Sequence, residues 1–158
     1  MLNTILLIVI GLLLVYALKR AGVGAKGAAE NRAQGEAFLE QNRQREEVTV
    51  TESGLQVEVL QAGEGERHPQ SRDKVRVHYH GTLIDGSVFD SSVQRNDPIV
   101  FGLNQVISGW TEGLQRMTEG EKVRLYIPPD LAYGNQRAGK IPPGSVLIFE
   151  VELLEILN

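Results

Sequence analysis

Apolar residues recur with two different spacings in the last two thirds of the chain. Strict alternation with polar residues predicts half-buried strands, because every second side chain of a strand points to the same face. Trp110, Leu114 and Met117 instead follow helical spacing, and Gly120 is expected to end that helix. The alternating sets are Leu55/Val57/Val59, Val75/Val77/Tyr79, Val123/Leu125/Ile127 and Leu147/Phe149/Val151/Leu153. Half-buried strands with a short helix predict an α+β fold built on an antiparallel sheet.

Residues 2–18 form an almost wholly apolar run, interrupted only by Asn3, Thr4, Gly11 and Tyr16. As a helix this run would span about 25 Å at roughly 1.5 Å per residue, close to the ~30 Å hydrocarbon core of a bilayer. A signal peptide places basic residues before its apolar region and a small-residue cleavage site after it. Neither feature is clear here, so we expect residues 1–20 to be a retained single-pass anchor, with a cleaved signal peptide as the alternative.

The segment at residues 21–47 is predicted to link this anchor to a domain at residues 48–158. Glycine and alanine dominate residues 21–29, whereas residues 30–47 are charged and rich in helix formers. Phe38 and Leu39 are the only large apolar side chains of residues 30–47, so the predicted helix has a narrow apolar face. A solvated spacer and a packing or dimer contact both remain open for this helix.

Composition removes several classes of function. The chain has no cysteine, which excludes disulfides and thiolate metal sites. The net charge is −4, and the acidic excess falls in residues 48–158, which argues against a nucleic-acid-binding surface. His78 and His80 share one strand face, but the sequence shows no third ligand, so no metal site is expected.

Residues 134–140, GNQRAGK, are similar to a phosphate-binding loop without completing one. Ile141 stands where a serine or threonine would hold magnesium, and Pro142 disfavours the helix that should follow. Ser91 and Ser92 lack the Gly-x-Ser-x-Gly context of a hydrolase nucleophile. We therefore expect neither a nucleotide nor another cofactor.

Residues 77–110 concentrate aromatic and aliphatic side chains, together with Asp90, among turn residues. This is the composition of an apolar pocket with a few orienting polar groups. The order of residues across residues 48–158 resembles the FKBP-type peptidyl-prolyl isomerases, and especially the Mip-like catalytic domains of exported bacterial proteins. The matching positions are Tyr79-x-Gly81-x-Leu83-x-x-Gly86-x-x-Phe89-Asp90-Ser91-Ser92, Phe101, Val106-Ile107-x-Gly109-Trp110, Gly113-Leu114-x-x-Met117-x-x-Gly120, Ile127-Pro128-Pro129, Ala132-Tyr133-Gly134, Ile141-Pro142-Pro143 and Phe149-x-Val151-x-Leu153.

The resemblance implies a curved antiparallel sheet wrapped around one short α-helix, with a pocket between the helix and the concave face. It implies peptidyl-prolyl cis-trans isomerisation of proline-containing polypeptides, and binding of macrolides of the FK506 and rapamycin type. Residues implied to line the pocket are Trp110 as its floor, Tyr79, Phe89 and Phe149 as its walls, Val106 and Ile107 beside them, and Ile141 closing over the top.

The resemblance also implies roles for a few polar groups. The backbone N–H of Ile107 and the hydroxyl of Tyr133 would donate to substrate carbonyls. Asp90, oriented by Tyr79 and Arg95, would polarise the twisting amide at the edge of the pocket.

Some rim positions depart from the best-known members of the family. Ile99 replaces a pocket-wall phenylalanine, Gln105 replaces an acidic residue, and Arg137 replaces a histidine, followed by the less apolar run at residues 138–140. These changes predict a wider pocket with different ligand affinity. They also support the alternative of a membrane-tethered chaperone or peptide-binding module with little turnover.

The expected location is a bacterial inner membrane. Lys19, Arg20 and Lys26 follow the apolar run, which by the positive-inside rule would leave the C-terminal domain in the cytoplasm. The Mip-like resemblance favours the periplasmic face instead.

Overall fold

The computed structural model describes residues 27–157. Among these residues no helix is both long and apolar enough to cross a membrane, and the predicted anchor at residues 2–18 lies outside them. The helices are α1 (Ala28–Asn42), α2 (Ser92–Arg95) and α3 (Ser108–Leu114), with 3₁₀ turns at Leu103–Gln105 and Pro129–Leu131. The strands are β1 (Val48–Val50), β2 (Gln56–Gln61), β3 (Lys74–Thr82), β4 (Val88–Ser91), β5 (Ile99–Gly102), β6 (Lys122–Ile127) and β7 (Leu147–Leu157).

The described strands form one antiparallel sheet in the order β1-β2-β6-β7-β3-β4. One edge of β3 pairs with β7, and the opposite edge is shared by two short strands: β5 pairs with the first half of β3 and β4 pairs with its end. The pairing of β3 with β7 runs from Lys74 opposite Leu157 to Thr82 opposite Ile148. An antiparallel sheet with short helices confirms the predicted α+β class.

One face of the sheet carries the apolar core, and α3 contributes Trp110 and Leu114 to it. The alternation predicted for β3 is confirmed, because Val75, Val77 and Tyr79 are all fully buried while Arg76 faces water. The same alternation holds along most of β7. Burying an aliphatic or aromatic side chain of this kind contributes roughly 1.5–3 kcal/mol.

The alternation predicted for β2 is wrong at three positions. Val59 is 57% exposed, whereas the polar residues Gln56 and Glu58 are only 3% and 7% exposed. Gln56 and Glu58 are buried because α1 covers the outer face of β2 and β6, where it places the Phe38 ring 6.0 Å from that of Tyr126. Of the two roles left open for the charged helix, the structure therefore shows a packing contact.

Polar groups beneath α1 are satisfied by one another. Asn42 donates to the Gln56 side chain at 2.7 Å, and the Gln56 amide donates to the carbonyl of Leu39 at 3.0 Å. Arg45 and Tyr126 both donate to the Glu58 carboxylate, at 3.0 and 2.7 Å. Although burial opposes ionisation of Glu58, these hydrogen bonds keep its pKa below the ordinary value.

Helix α3 is shorter than its apolar spacing predicted. It ends at Leu114, and the next N–H groups bond three residues back, from Arg116 to Gly113 and from Met117 to Leu114. Met117 is buried by this tighter turn. Gly120, at φ 86°, belongs to the later turn into β6 rather than to the end of the helix.

Candidate active site

Trp110 lies at the centre of an aromatic cluster on the core face of the sheet. Its ring meets those of Tyr79, Phe101 and Phe149 edge-on, at centroid distances of 5.4, 5.3 and 5.2 Å. Each such pair contributes about 0.5–1.5 kcal/mol beyond simple burial. The indole is only 2% exposed, which suits the floor of an apolar site. Phe101 was absent from the predicted pocket residues, although its place opposite Val75 on the core face explains its contact with Trp110.

Phe89 forms a partly exposed wall beside this cluster. Its ring lies 5.3 Å from that of Phe149, at an interplanar angle of 88°. Gly81 makes this approach possible, because a Cβ there would lie 2.6 Å from Cζ of Phe89 and 2.9 Å from Cε1 of Phe149. Position 81 of β3 therefore needs a glycine, because a larger residue would collide with the rings of Phe89 and Phe149.

Asp90 is held at the edge of the cluster by two donors. The Tyr79 hydroxyl donates to its Oδ2 at 2.6 Å, and Nη1 of Arg95 donates to its Oδ1 at 2.7 Å. Arg95 also donates to the Tyr79 hydroxyl at 3.2 Å. Burial, followed by the Asp90 carboxylate, raises the pKa of Tyr79 well above its ordinary value, so Tyr79 stays a donor. The single turn of α2 returns Arg95 to Asp90, and the structure thus brings together the three residues expected at this edge.

Ser91 and Ser92 support that edge through their hydroxyl groups. Ser91 caps α2 by accepting from the N–H of Gln94 at 3.1 Å. Ser92 is fully buried and accepts from the N–H of Tyr79 at 2.7 Å. His78 and His80 each contact one of these hydroxyls, both at 2.9 Å. Within residues 27–157 no group of three or more side chains is arranged to hold a metal ion.

Tyr133 lies in the segment between β6 and β7, at residues 128–146, here called the β6–β7 loop. Its hydroxyl makes no hydrogen bond to any described residue. Burial, with a smaller effect of the Asp90 charge, raises the pKa of Tyr133 to about 12. The hydroxyl therefore keeps its proton at neutral pH and lies within the field of the carboxylate at the edge.

Ile141 lies on the same loop and is 6% exposed, in one apolar cluster with Trp110. It closes a tight turn with Ala138, in which each residue donates its N–H to the carbonyl of the other, at 3.0 and 2.9 Å. Residues 134–140 thus end in a turn without the helix that a phosphate-binding loop needs.

The start of α3 places a second free donor beside the tryptophan. Ile107 accepts through its carbonyl from the N–H of Trp110 at 3.0 Å. Its own N–H makes no hydrogen bond to another described residue. Val106, which precedes it, is partly buried against the core. All ten predicted pocket residues therefore lie on the elements that surround Trp110 or on the edge formed by β4 and α2.

The departures noted in the sequence fall into two groups. Ile99 is 2% exposed and pairs with Val77, so this replacement lies in the core under the pocket. Gln105 and Arg137 are exposed and change the outer surface only.

Comparison with known proteins defines the class to which this fold and site belong. Residues 65–154 match the model of the FKBP-type peptidyl-prolyl cis-trans isomerases, and residues 16–59 match the domain amino terminal to such isomerases. The chain belongs to the FKBP-type peptidyl-prolyl cis-trans isomerase family.

Several similar proteins come from bacteria. The FKBP-type isomerase FkpA of Aeromonas hydrophila is 53% identical, over 83% of this chain and 48% of the relative. The outer membrane protein MIP of Legionella longbeachae is 44% identical, over 87% of this chain and 59% of the relative. The crystal structure of FkpA from Escherichia coli superposes with a TM-score of 0.79 at 46% identity, over 84% of this chain and 62% of that one. The chain spans about half to three fifths of the length of these relatives.

Proposed function

We propose that this chain accelerates rotation about X-Pro peptide bonds in folding polypeptides. The observation that carries the proposal is the Trp110 cluster, bordered by two hydrogen-bond donors without partners among the described residues. One donor is the hydroxyl of Tyr133 and the other is the N–H of Ile107. Such a site binds an X-Pro segment through its backbone carbonyls while it shelters the proline ring from water.

The chemistry needs no nucleophile. Rotation is slow because the amide loses its conjugation on twisting, which costs roughly 18–20 kcal/mol. A twisted amide has less charge separation than a planar one, so an apolar enclosure favours it relative to the planar ground state. Fixed donors at the flanking carbonyls hold the chain in the twisted geometry without reorganisation during the reaction.

Each predicted residue has a role in this proposal. The proline ring rests on Trp110, between walls that include Phe89 and Phe149. Ile141 and Val106 border the proposed binding pocket above Trp110, here called the cup. The Asp90 carboxylate, fixed by Tyr79 and Arg95, lies where it orients the twisting amide.

A protease-coupled proline-peptide assay on the full-length chain tests the proposal. We expect acceleration by the wild type and a loss of activity in Phe89→Ala. Glu155→Gln, which changes an exposed partner of Arg76 on β7, is the matched control and should keep full activity. No acceleration by the wild type would refute the proposal. If the wild type lacked isomerase activity but still suppressed the aggregation of a client protein, the alternative of a peptide-binding module with little turnover would replace the isomerase proposal.

Macrolides of the FK506 type are expected to occupy the same cup. Trp110 is the only tryptophan of the chain, so its fluorescence reports the occupancy of the site directly. Saturable quenching by the wild type supports this ligand class, and an unchanged spectrum at high macrolide concentration would contradict it.

We also propose that residues 2–18 anchor the chain in a bacterial inner membrane, and that a linker at residues 21–47 precedes the catalytic domain at residues 48–158. The apolar run and the outer-membrane relative support an envelope location. Fractionation shows whether the chain is retained in membranes, and recovery in the soluble fraction would refute the anchor. A topology reporter fused to the C-terminus then distinguishes the cytoplasmic face, favoured by Lys19 and Arg20, from the periplasmic face.

A further inference from the structure

Helix α1 contacts the β6–β7 loop on both sides of Tyr133. The Arg32 guanidinium donates through Nη2 to Asp130 at 2.7 Å and through Nε to the side chain of Asn135. Asp130 lies three residues before Tyr133 and Asn135 lies two residues after it. A single side chain of α1 therefore bridges two loop side chains that flank Tyr133 in sequence.

The other limb of the loop is also held by α1. Asn31 donates to the carbonyl of Pro143 at 2.8 Å, two residues after Ile141. Gly35 lies so close to the loop that a Cβ there would be 2.6 Å from Cγ2 of Val146. The two limbs are joined by a hydrogen bond from the N–H of Gly144 to the carbonyl of Gly134, at 2.8 Å.

The ring of Tyr133 packs against the apolar core, but its hydroxyl has no partner among the described residues that would fix it. The backbone of the loop therefore sets the position of that hydroxyl. Within the loop, the only strand-like pairing among described residues is the short bridge between Ala138 and Ile141. A displacement of about 1 Å in a catalytic group can cost up to about 100-fold in rate.

We propose that Arg32 and Asn31 of α1 are positioning residues for the candidate isomerase site, holding the β6–β7 loop so that Tyr133 and Ile141 face the cup over Trp110. The inference rests on the proposed isomerase function and assigns part of it to a helix outside the catalytic sheet. The guanidinium fork matters, because it binds two groups that flank Tyr133 at once.

Kinetics of the full-length chain provide the first test. Arg32→Ala should lower kcat/KM roughly fivefold, a fraction of the loss that full misplacement would cause. Arg32→Lys should recover only part of the loss, because an ammonium ion reaches Asp130 without the second contact. Arg43→Ala is the matched control: Arg43 lies near the other end of α1 and pairs with Glu40 at 3.8 Å. Its rate should equal that of the wild type.

A double-mutant cycle with Tyr133→Phe separates positioning from general stabilisation. If Arg32 acts through the Tyr133 hydroxyl, Arg32→Ala should cause little further loss once that hydroxyl is removed. Fully additive losses would overturn the proposal, as would equal rates for Arg32→Ala and Arg43→Ala. If Arg32→Ala does not fold, Asn31→Ala takes its place in the cycle under the same criteria.

A readout besides activity keeps this inference distinguishable from the proposed function. The methyl resonances of Ile141 should shift in Arg32→Ala and in Gly35→Ala, and should stay in place in Arg43→Ala. Gly35→Ala is informative because alanine favours the helix itself while its methyl group pushes against Val146. An inactive wild type would refute the proposed isomerase function. The Ile141 resonances would still test whether α1 positions the β6–β7 loop. Unchanged resonances in both variants would refute it.

Discussion

Two tyrosines at the site offer a paired prediction, because among residues 27–157 one hydroxyl has a hydrogen-bond partner and the other has none. Tyr79→Phe deletes the donor that lies 2.6 Å from Asp90 and keeps the buried ring. A hydrogen bond to a charged partner contributes about 1.5–3 kcal/mol net, and Asp90 retains its contact with Arg95. We therefore expect the free energy of unfolding to fall by about 2 kcal/mol.

Tyr133→Phe is the matched change in the opposite sense. Its hydroxyl bonds no described residue, so the free energy of unfolding should change by less than about 0.5 kcal/mol. The proposed carbonyl donor is lost, and isomerase activity should fall by about tenfold or more.

Urea unfolding at neutral pH, followed by Trp110 fluorescence, measures both variants, and an unchanged slope against denaturant would show that the unfolded state is not altered. Comparable losses of stability in the two variants would refute this reasoning. So would a Tyr79→Phe protein as stable as the wild type.

Three further predictions follow from the same structure. Phe89→Ala should lose more isomerase activity than Asp90→Ala, because a wall of the dry cup matters more than one edge carboxylate, and equal rates would contradict this. The pKa of Tyr133 is raised to about 12 in the folded state, against 10.0 for an ordinary tyrosine, so the unfolded state loses this proton at a lower pH than the folded state does. Stability should therefore decline as pH rises above about 10, less steeply in Tyr133→Phe, and identical alkaline profiles would count against the shift. Glu58→Gln should lower the free energy of unfolding by about 1.5–3 kcal/mol, because it weakens the hydrogen bonds that the carboxylate accepts from Arg45 and Tyr126. It should also weaken the loss of stability on acidification, because the lowered pKa of Glu58 stabilises the folded state above the unfolded value of 4.5, and that stability is lost as pH falls through the folded pKa. Glu155→Gln, with an exposed partner, should change the free energy of unfolding by less than about 1 kcal/mol.

The sequence predicts strands well where only one face is buried. Alternation located β3 and β7 because their outer residues, such as Arg76, face water. It failed at Gln56 and Glu58 because α1 covers the outer face there. Helix α1 achieves this with Phe38 and polar side chains, so no apolar stripe signals the contact.

The residues that meet at the candidate site stand in ordered motifs of the sequence, whereas the contact of α1 with the β6–β7 loop has no such signal. Tyr79, Asp90 and Trp110 stand in a recognisable order along the chain, and the turn of α2 accounts for the nearby Arg95. Arg32 and Asp130 are 98 positions apart, and neither belongs to a local pattern. Their contact follows from tertiary packing of α1, which a pattern within one segment does not encode.

The covering of β2 and β6 by α1 bears on where the chain can be cut for inhibitor screening. A fragment starting at Val48 would leave the Tyr126 ring bare and remove one of the cations that neutralise Glu58. It would also remove the contacts of Asn31 and Arg32 with the β6–β7 loop, and under the positioning role proposed above, compounds would be selected against an altered site. A truncation that begins ahead of Gly27 keeps α1 and these contacts in the protein.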